Sequence, residues 1–117
     1  MKKFISKSAV VLSIAFVPSV ALASTPTPDQ ARELCTAVAD LGEYIMTARQ
    51  QEIPGSDITR LLKKQIKNRS AHRMIDAMTI SAYQEPKRNS DVGMRESIQS
   101  FRTKSETACY LAVAQEG

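Results

Sequence analysis

Apolar residues recur every three or four positions through most of the chain, and this spacing restricts the fold more than any other feature of the sequence. Spacings of three and four place side chains on one face of an α-helix. Thr27, Pro28 and Gln30 form a capping-box pattern with a proline in the first turn, so a first helix begins there and runs to about Gln51. Its apolar positions are Ala31, Leu34, Cys35, Val38, Leu41, Gly42, Ile45 and Met46.

Three further helices are predicted by the same spacing. A short second helix follows Ser56 and ends near Lys67, a third is capped by Ser70 and ends near Gln84, and a long fourth is capped by Ser90. The alternative is one bent helix in place of the second and third. The apolar faces comprise Ile58, Leu61, Leu62 and Ile66, then Met74, Ile75, Met78 and Ala82, and finally Met94, Ile98, Phe101, Ser105, Ala108 and Ala112.

No stretch alternates between apolar and polar residues for long enough to predict a strand. The fold class is therefore all-α, a small antiparallel bundle of about four helices.

The first 23 residues have the pattern of a signal peptide. Lys2, Lys3 and Lys7 precede an apolar run from Ala9 to Val17, and small residues at 21 and 23 predict cleavage after Ala23. The run is shorter than the roughly 20 residues that span a bilayer. We therefore expect a single helical domain, residues 24–117, in the periplasm or the medium, with no integral membrane segment after cleavage.

Loss of this leader changes the charge balance. The whole chain has 16 Lys plus Arg against 12 Asp plus Glu. The leader contains three lysines and no acid, so the mature domain has 13 cations against the same 12 acids, a net charge of +1. Neither this charge nor the predicted compartment favours nucleic acid as a partner.

The two cysteines fit an antiparallel arrangement of the first and last helices. Cys35 lies about two turns into the first helix, and Cys109 about two turns before the end of the last. Antiparallel packing brings both to one level of the bundle, and an oxidising compartment favours a disulfide. Such a cross-link contributes about 4 kcal/mol in the chain-entropy model. The alternative is two buried free thiols.

The residues that could support catalysis are few, and we expect no catalytic residue, metal or cofactor. His72, the only histidine, lies between Arg69 and Arg73, and we interpret it as an exposed residue of a helix surface. A glycan-cleaving enzyme needs two carboxyl groups, one of which is a general acid with a raised pKa. The acids on the first helix share a solvated polar face, which does not raise a pKa; they are Asp29, Glu33, Asp40 and Glu43.

Two groups of residues are candidates for binding. The first is a basic stripe on the second helix, formed by Arg60, Lys63, Lys64 and Lys67 and continued by Arg69 and Arg73. The second is the loop after the third helix, where Tyr83, Lys87 and Arg88 place an aromatic ring beside two cations. The alternatives are a solvated helix face for the stripe and, for the loop, a helix stop whose Tyr83 packs on the core.

Several of these residues also form a recurring pattern. Its elements are Cys35, the run Ile45–Gln50, Ala82–Tyr83 followed by Pro86, then Phe101 and Cys109. In this pattern the chain resembles a group of uncharacterised small exported proteins of bacteria and their phages. The resemblance implies an exported helical domain with paired cysteines. It brings no known activity, so no catalytic residue is carried over.

The expected function is that of a non-enzymatic periplasmic interaction protein. An inhibitor, an exclusion factor or an adaptor would each fit, binding an envelope protein or an anionic envelope surface through the stripe and the loop. The alternative is an enzyme, or an enzyme accessory, that acts on cell-wall glycan. A buried carboxylate pair in a cleft would favour the enzyme, and a closed core with charged convex faces would favour the binding protein.

Overall fold

The computed structural model describes residues 26–116, and these form four α-helices. They are α1 (Pro28–Gln50), α2 (Gly55–Gln65), α3 (Arg69–Gln84) and α4 (Asp91–Glu116). The all-α prediction is confirmed, and α2 and α3 are separate helices rather than one bent helix. The predicted signal peptide, residues 1–23, lies outside the described residues. Within the described range, no helix combines the length and the apolar character needed to cross a membrane.

Two of the predicted helix starts are confirmed by their capping bonds. Thr27 Oγ1 accepts a hydrogen bond from Gln30 N at 3.1 Å, and Gln30 Oε1 accepts one from Thr27 N at 3.0 Å, which completes the capping box of α1. Ser90 Oγ accepts a bond from Gly93 N at 3.0 Å at the start of α4.

The other two starts differ from the predictions. Helix α2 begins at Gly55 directly after Pro54, with no side-chain cap, so Ser56 does not cap it. Helix α3 is capped by Asn68, whose Oδ1 accepts a bond from Ala71 N at 3.0 Å, and not by Ser70. Both Asn and Ser are favoured caps, and the pattern alone does not decide between neighbouring candidates.

Helices α1 and α4 pack antiparallel along their length. Cys35 and Cys109 form a disulfide with their Cα atoms 5.4 Å apart, as predicted, and neither is a free thiol. About two turns further along α1, a Cβ atom on Gly42 would lie 2.5 Å from Ser105 Oγ. Only glycine at position 42 therefore allows the two helices to approach this closely.

Helices α2 and α3 form a hairpin that packs on the C-terminal half of α1. Helix α3 runs in the same direction as α1, since Met78 lies beside Gly42 and Tyr83 beside Arg49. The core where all four helices meet consists of Ile45, Met46, Ala48, Ile58, Leu62, Ile75, Ala82 and Phe101.

Several predicted core residues lie outside this core. Leu34 and Leu61 are 49% and 41% exposed, and Ala108 and Ala112 are also exposed. The two alanines are exposed because α3 packs on α1 and α2 but hardly touches α4. Beyond Ser105, the apolar face of α4 therefore has α1 on one side and no helix on the other.

Candidate functional site

The basic stripe on α2 is partly neutralised by ion pairs. Arg60 Nη2 lies 3.0 Å from Asp57 Oδ1 one turn earlier in the same helix. Lys63 Nζ lies 2.8 Å from Asp76 Oδ1 on α3, so this lysine joins the two helices of the hairpin. Two of the four predicted cations therefore have acidic partners, although exposed pairs of this kind contribute little to stability.

The remaining cations lie where α2 ends and α3 begins. Lys64, Lys67, Arg69 and Arg73 are all exposed, and none forms an ion pair with another described residue. We call these four residues the cationic tip. It takes in two residues of the predicted stripe and two arginines of the following helix, because the turn at 66–68 brings the helix ends together.

His72 lies between the two helices at this turn. One of its ring nitrogens is within hydrogen-bonding distance of the Ile66 carbonyl oxygen, so the ring N–H donates to the residue that directly follows α2. The side chain is partly buried, and the interpretation of His72 as an exposed surface residue is therefore wrong. The contact gives this histidine a structural role, because it satisfies a carbonyl that the ended helix leaves free.

The predicted loop residues are held by contacts within the chain. Tyr83 is partly buried, and its hydroxyl donates to the Ile53 carbonyl oxygen. Lys87 Nζ lies 3.4 Å from Glu52 Oε2, and Arg88 Nε donates to Ser97 Oγ at 3.0 Å. A binding role for these residues stays a prediction, but their polar groups already have partners.

Gln50, which the sequence did not single out, holds this loop in place. Its side chain is only 2% exposed. Gln50 Nε2 donates to the Pro86 carbonyl oxygen at 3.1 Å, and Gln50 Oε1 accepts a bond from Arg88 N at 2.8 Å. One buried amide therefore satisfies a backbone acceptor and a backbone donor of the α3–α4 loop, residues 85–90.

Arg49 supports the same loop. Arg49 Nε donates to the Glu85 carbonyl oxygen at 3.0 Å, and its guanidinium carbon lies 5.6 Å from the centre of the Tyr83 ring. Burial raises the pKa of Tyr83, while the positive charge of Arg49 partly opposes this shift.

The cationic tip and the α3–α4 loop do not form one site. Arg69 and Tyr83 lie near opposite ends of α3, and a helix rises 1.5 Å per residue, so they are about 20 Å apart along its axis. The two candidate surfaces are therefore separate patches of the molecule.

Two acids of α1, Asp40 and Glu43, are bound by an arginine of α4. Asp40 and Glu43 both accept hydrogen bonds from Arg102 Nη1, at 2.7 and 2.9 Å, and their side chains are 67% and 44% exposed. The hydrogen bond to Asp40 raises the pKa of the Arg102 guanidinium. Both carboxylates thus accept hydrogen bonds from one arginine at the surface of the bundle.

An open apolar groove lies between α3 and α4, with α1 as its floor. Its volume is about 530 Å³. Small side chains form the two walls, Ala77 and Ser81 on α3 and Ala108 and Ala112 on α4. The remaining lining residues are Pro26, Leu34, Val38, Met74, Met78, Phe101, Lys104, Ser105, Cys109 and Val113.

The sequence contains one signal for this groove. The run from Thr107 to Gln115 has no charged residue, although it forms an exposed part of α4. Helix surfaces that face solvent normally carry charges. Four residues of this uncharged run line the groove, namely Ala108, Cys109, Ala112 and Val113.

No family model, curated protein or solved structure matches this chain. Four residues of the pattern that carries the resemblance lie together in the structure, since Arg49 contacts Tyr83 and the loop, and Gln50 binds Pro86. Those pattern residues thus support the loop. The candidate functional surfaces are the cationic tip and the apolar groove.

Proposed function

We propose that this chain is a non-enzymatic exported protein that binds an anionic membrane surface of the bacterial envelope through the cationic tip. The observation that carries the proposal is the gathering of four exposed cations within residues 64–73, none of them paired with an acid in the described part of the chain. Each such cation contributes about 1 kcal/mol of binding free energy near an anionic lipid surface.

The exposure and the surroundings of the tip support an anionic membrane surface as its partner. The tip lies at the turn between two helices, and all four of its side chains are exposed. Leu61, 41% exposed, lies one turn before Lys64 on α2. Its side chain can enter the headgroup region while the lysine binds a phosphate, as in helices that lie on membranes.

The predicted signal peptide and the disulfide support the proposed compartment. A disulfide that closes a loop of this length persists in the oxidising periplasm or outside the cell, whereas cytosolic reductants keep most thiols free. Either location gives the protein access to envelope lipids.

The test is co-sedimentation of the exported protein with vesicles. Vesicles that contain phosphatidylglycerol should bind the protein, those of phosphatidylcholine alone should not, and binding should weaken between low and physiological salt. The double variant Lys64→Gln/Lys67→Gln should weaken binding at least tenfold. The control Arg32→Gln/Arg95→Gln removes the same charge from exposed positions elsewhere and should bind like the wild type.

Equal binding by the two double variants, or binding that salt does not change, would contradict the proposal. The competing function, action on cell-wall glycan, predicts release of sugar fragments from purified peptidoglycan. It also requires two carboxyl groups placed at the reacting bond, whereas Asp40 and Glu43 are both engaged with Arg102.

A further inference from the structure

The apolar groove has the properties of a ligand site. Its volume of about 530 Å³ lies within the range of about 300–1,000 Å³ that is usual for small-molecule sites. Its lining is almost entirely apolar or small, with Lys104 as the one charged residue. Such a lining favours a hydrocarbon chain, because burial of apolar area drives binding.

One end of the groove opens beside the cationic tip. Met74 lines the groove and directly follows Arg73 in α3. Arg73 also lies one helical turn before Ala77, which forms the α3 wall, so the two share a helix face. A ligand that lies along the groove therefore ends within reach of the tip.

We infer that the groove binds one acyl chain of an anionic phospholipid, whose phosphate is bound by the cationic tip. This inference rests on the proposed function in one respect, since the same tip meets the lipid headgroups. It adds a second contact, in which a single acyl chain of the lipid leaves the membrane and lies between α3 and α4. The complementary charges at Arg73 and Arg69 place the phosphate at the end of the groove near Met74.

Charge disfavours a second copy of this chain as the occupant. A second groove would bring a second Arg73 to the interface, whereas Lys104 already pairs with Glu85 at 3.7 Å. The apolar segment that could enter the groove, residues 107–115 of α4, has no acid to pair with Arg73. An anionic lipid supplies both the apolar chain and the opposite charge.

The first experiment uses lysophosphatidylglycerol, which has one acyl chain and an anionic headgroup, and follows the methionine methyl groups by NMR. Met74 and Met78 line the groove, whereas Met94 lies outside it. Below its micelle concentration, the probe should shift the methyl signals of Met74 and Met78 and give nuclear Overhauser contacts to both. The signal of Met94 should not change. Contacts to Met94 alone, or none, would overturn the inference.

Matched variants then test whether the acyl chain lies in the groove. Ala108→Phe fills the groove from the α4 wall, and Ala114→Phe places the same side chain at an exposed position that does not line the groove. Ala108→Phe should weaken the binding of lysophosphatidylglycerol at least tenfold, whereas Ala114→Phe should bind like the wild type. If Ala108→Phe fails to fold, Ala77→Phe makes the same test from the opposite wall. Equal affinities for both kinds of variant would exclude the groove.

The headgroup and the source of the chain are tested by three other ligands. Lysophosphatidylcholine and palmitate should each bind at least tenfold more weakly than lysophosphatidylglycerol, and glycerophosphoglycerol, which has no chain, should not shift Met74. Palmitate that binds as tightly as the lysophospholipid would make a free fatty acid the ligand and overturn the inference. So would a lipid-free dimer, detected by analytical ultracentrifugation, that Ala108→Phe dissociates.

The binding results that would overturn this inference differ from those that would overturn the proposed function. If Ala108→Phe binds the lysophospholipid normally while Lys64→Gln/Lys67→Gln loses vesicle binding, the tip binds membranes and the groove does not take a chain. If the double variant keeps vesicle binding, the proposed function itself is wrong.

Discussion

The two ends of the bundle are held together in different ways. At one end, the Cys35–Cys109 disulfide joins α1 to α4 covalently, and α3 stands away from α4 so that the apolar groove stays open. At the other end, side-chain amide and guanidinium groups of α1 hold the α3–α4 loop through its backbone. A covalent bond keeps two helices together whether or not a third covers them, whereas a hydrogen bond contributes most where its loss would leave a buried group unpaired.

The two ends therefore differ in the surfaces that they leave exposed. The loop end is closed, and its candidate binding residues are engaged in contacts within the chain. The disulfide end keeps an apolar surface uncovered, with Leu34 and Leu111 49% and 60% exposed. The cross-link thus allows an exposed apolar surface in a domain whose core is small.

The largest effect is expected from removal of the disulfide. Replacement of both cysteines by alanine should lower the free energy of unfolding by about 4 kcal/mol, because the cross-link closes a loop with a sequence separation of 74 residues. This is a large part of the stability of a small domain. Urea denaturation measures the total loss, and hydrogen exchange locates it.

If the two ends are held independently, amides in residues 107–115 should lose more protection from exchange than the amide of Arg88. An equal loss at both ends would show that the disulfide also supports the loop. Two reactive thiols per chain in the denatured, unreduced wild type would contradict the cross-link itself.

At the loop end, the next largest effect is expected for Gln50→Ala. The change leaves the Pro86 carbonyl and the Arg88 amide without their partner, and should cost about 2–3 kcal/mol in the free energy of unfolding. The control Gln51→Ala removes the adjacent, exposed glutamine and should change stability by less than about 0.5 kcal/mol. Similar urea midpoints for both variants would mean that other contacts hold the loop.

A smaller effect, in the opposite direction, is expected at Glu52. This residue follows α1 with a φ of 64°, a left-handed conformation that costs most residues about 1–2 kcal/mol but suits glycine. Glu52→Gly should therefore raise stability by about 0.5–1 kcal/mol, even though it removes the partly exposed ion pair with Lys87. A lower melting temperature for this variant would show that the ion pair contributes more than the strain.

The smallest effect concerns alkaline pH. Because burial raises the pKa of Tyr83 above that of an unfolded tyrosine, the unfolded chain loses this proton first as the pH rises. The contribution of Tyr83 to stability is complete below the unfolded pKa of about 10 and is lost as the pH rises through the folded pKa. Tyr83→Phe should therefore show a smaller fall in stability above pH 10 than the wild type or the control Tyr44→Phe.

The local structure of this chain follows closely from its sequence. Helix formation depends on residues three or four apart and on caps beside them, so the capping box at Thr27 and the cap at Ser90 are both predictable. The disulfide was predictable as well, since two cysteines at matching distances from helix ends meet when the helices run antiparallel. The break between α2 and α3 was left open, because a capping residue within a helical pattern does not force the helix to end.

The candidate site depended on packing that lies beyond such patterns. The spacing of Ala108 and Ala112 predicts an apolar helix face, but not that α3 leaves this face uncovered. Gln50 has the spacing of a core residue, one turn after Met46. Its role in holding the loop could not be predicted, because its two hydrogen-bond partners lie 36 and 38 residues later in the chain. Local periodicity fixed the helices, whereas contacts between distant residues decided which faces became core, loop support or open groove.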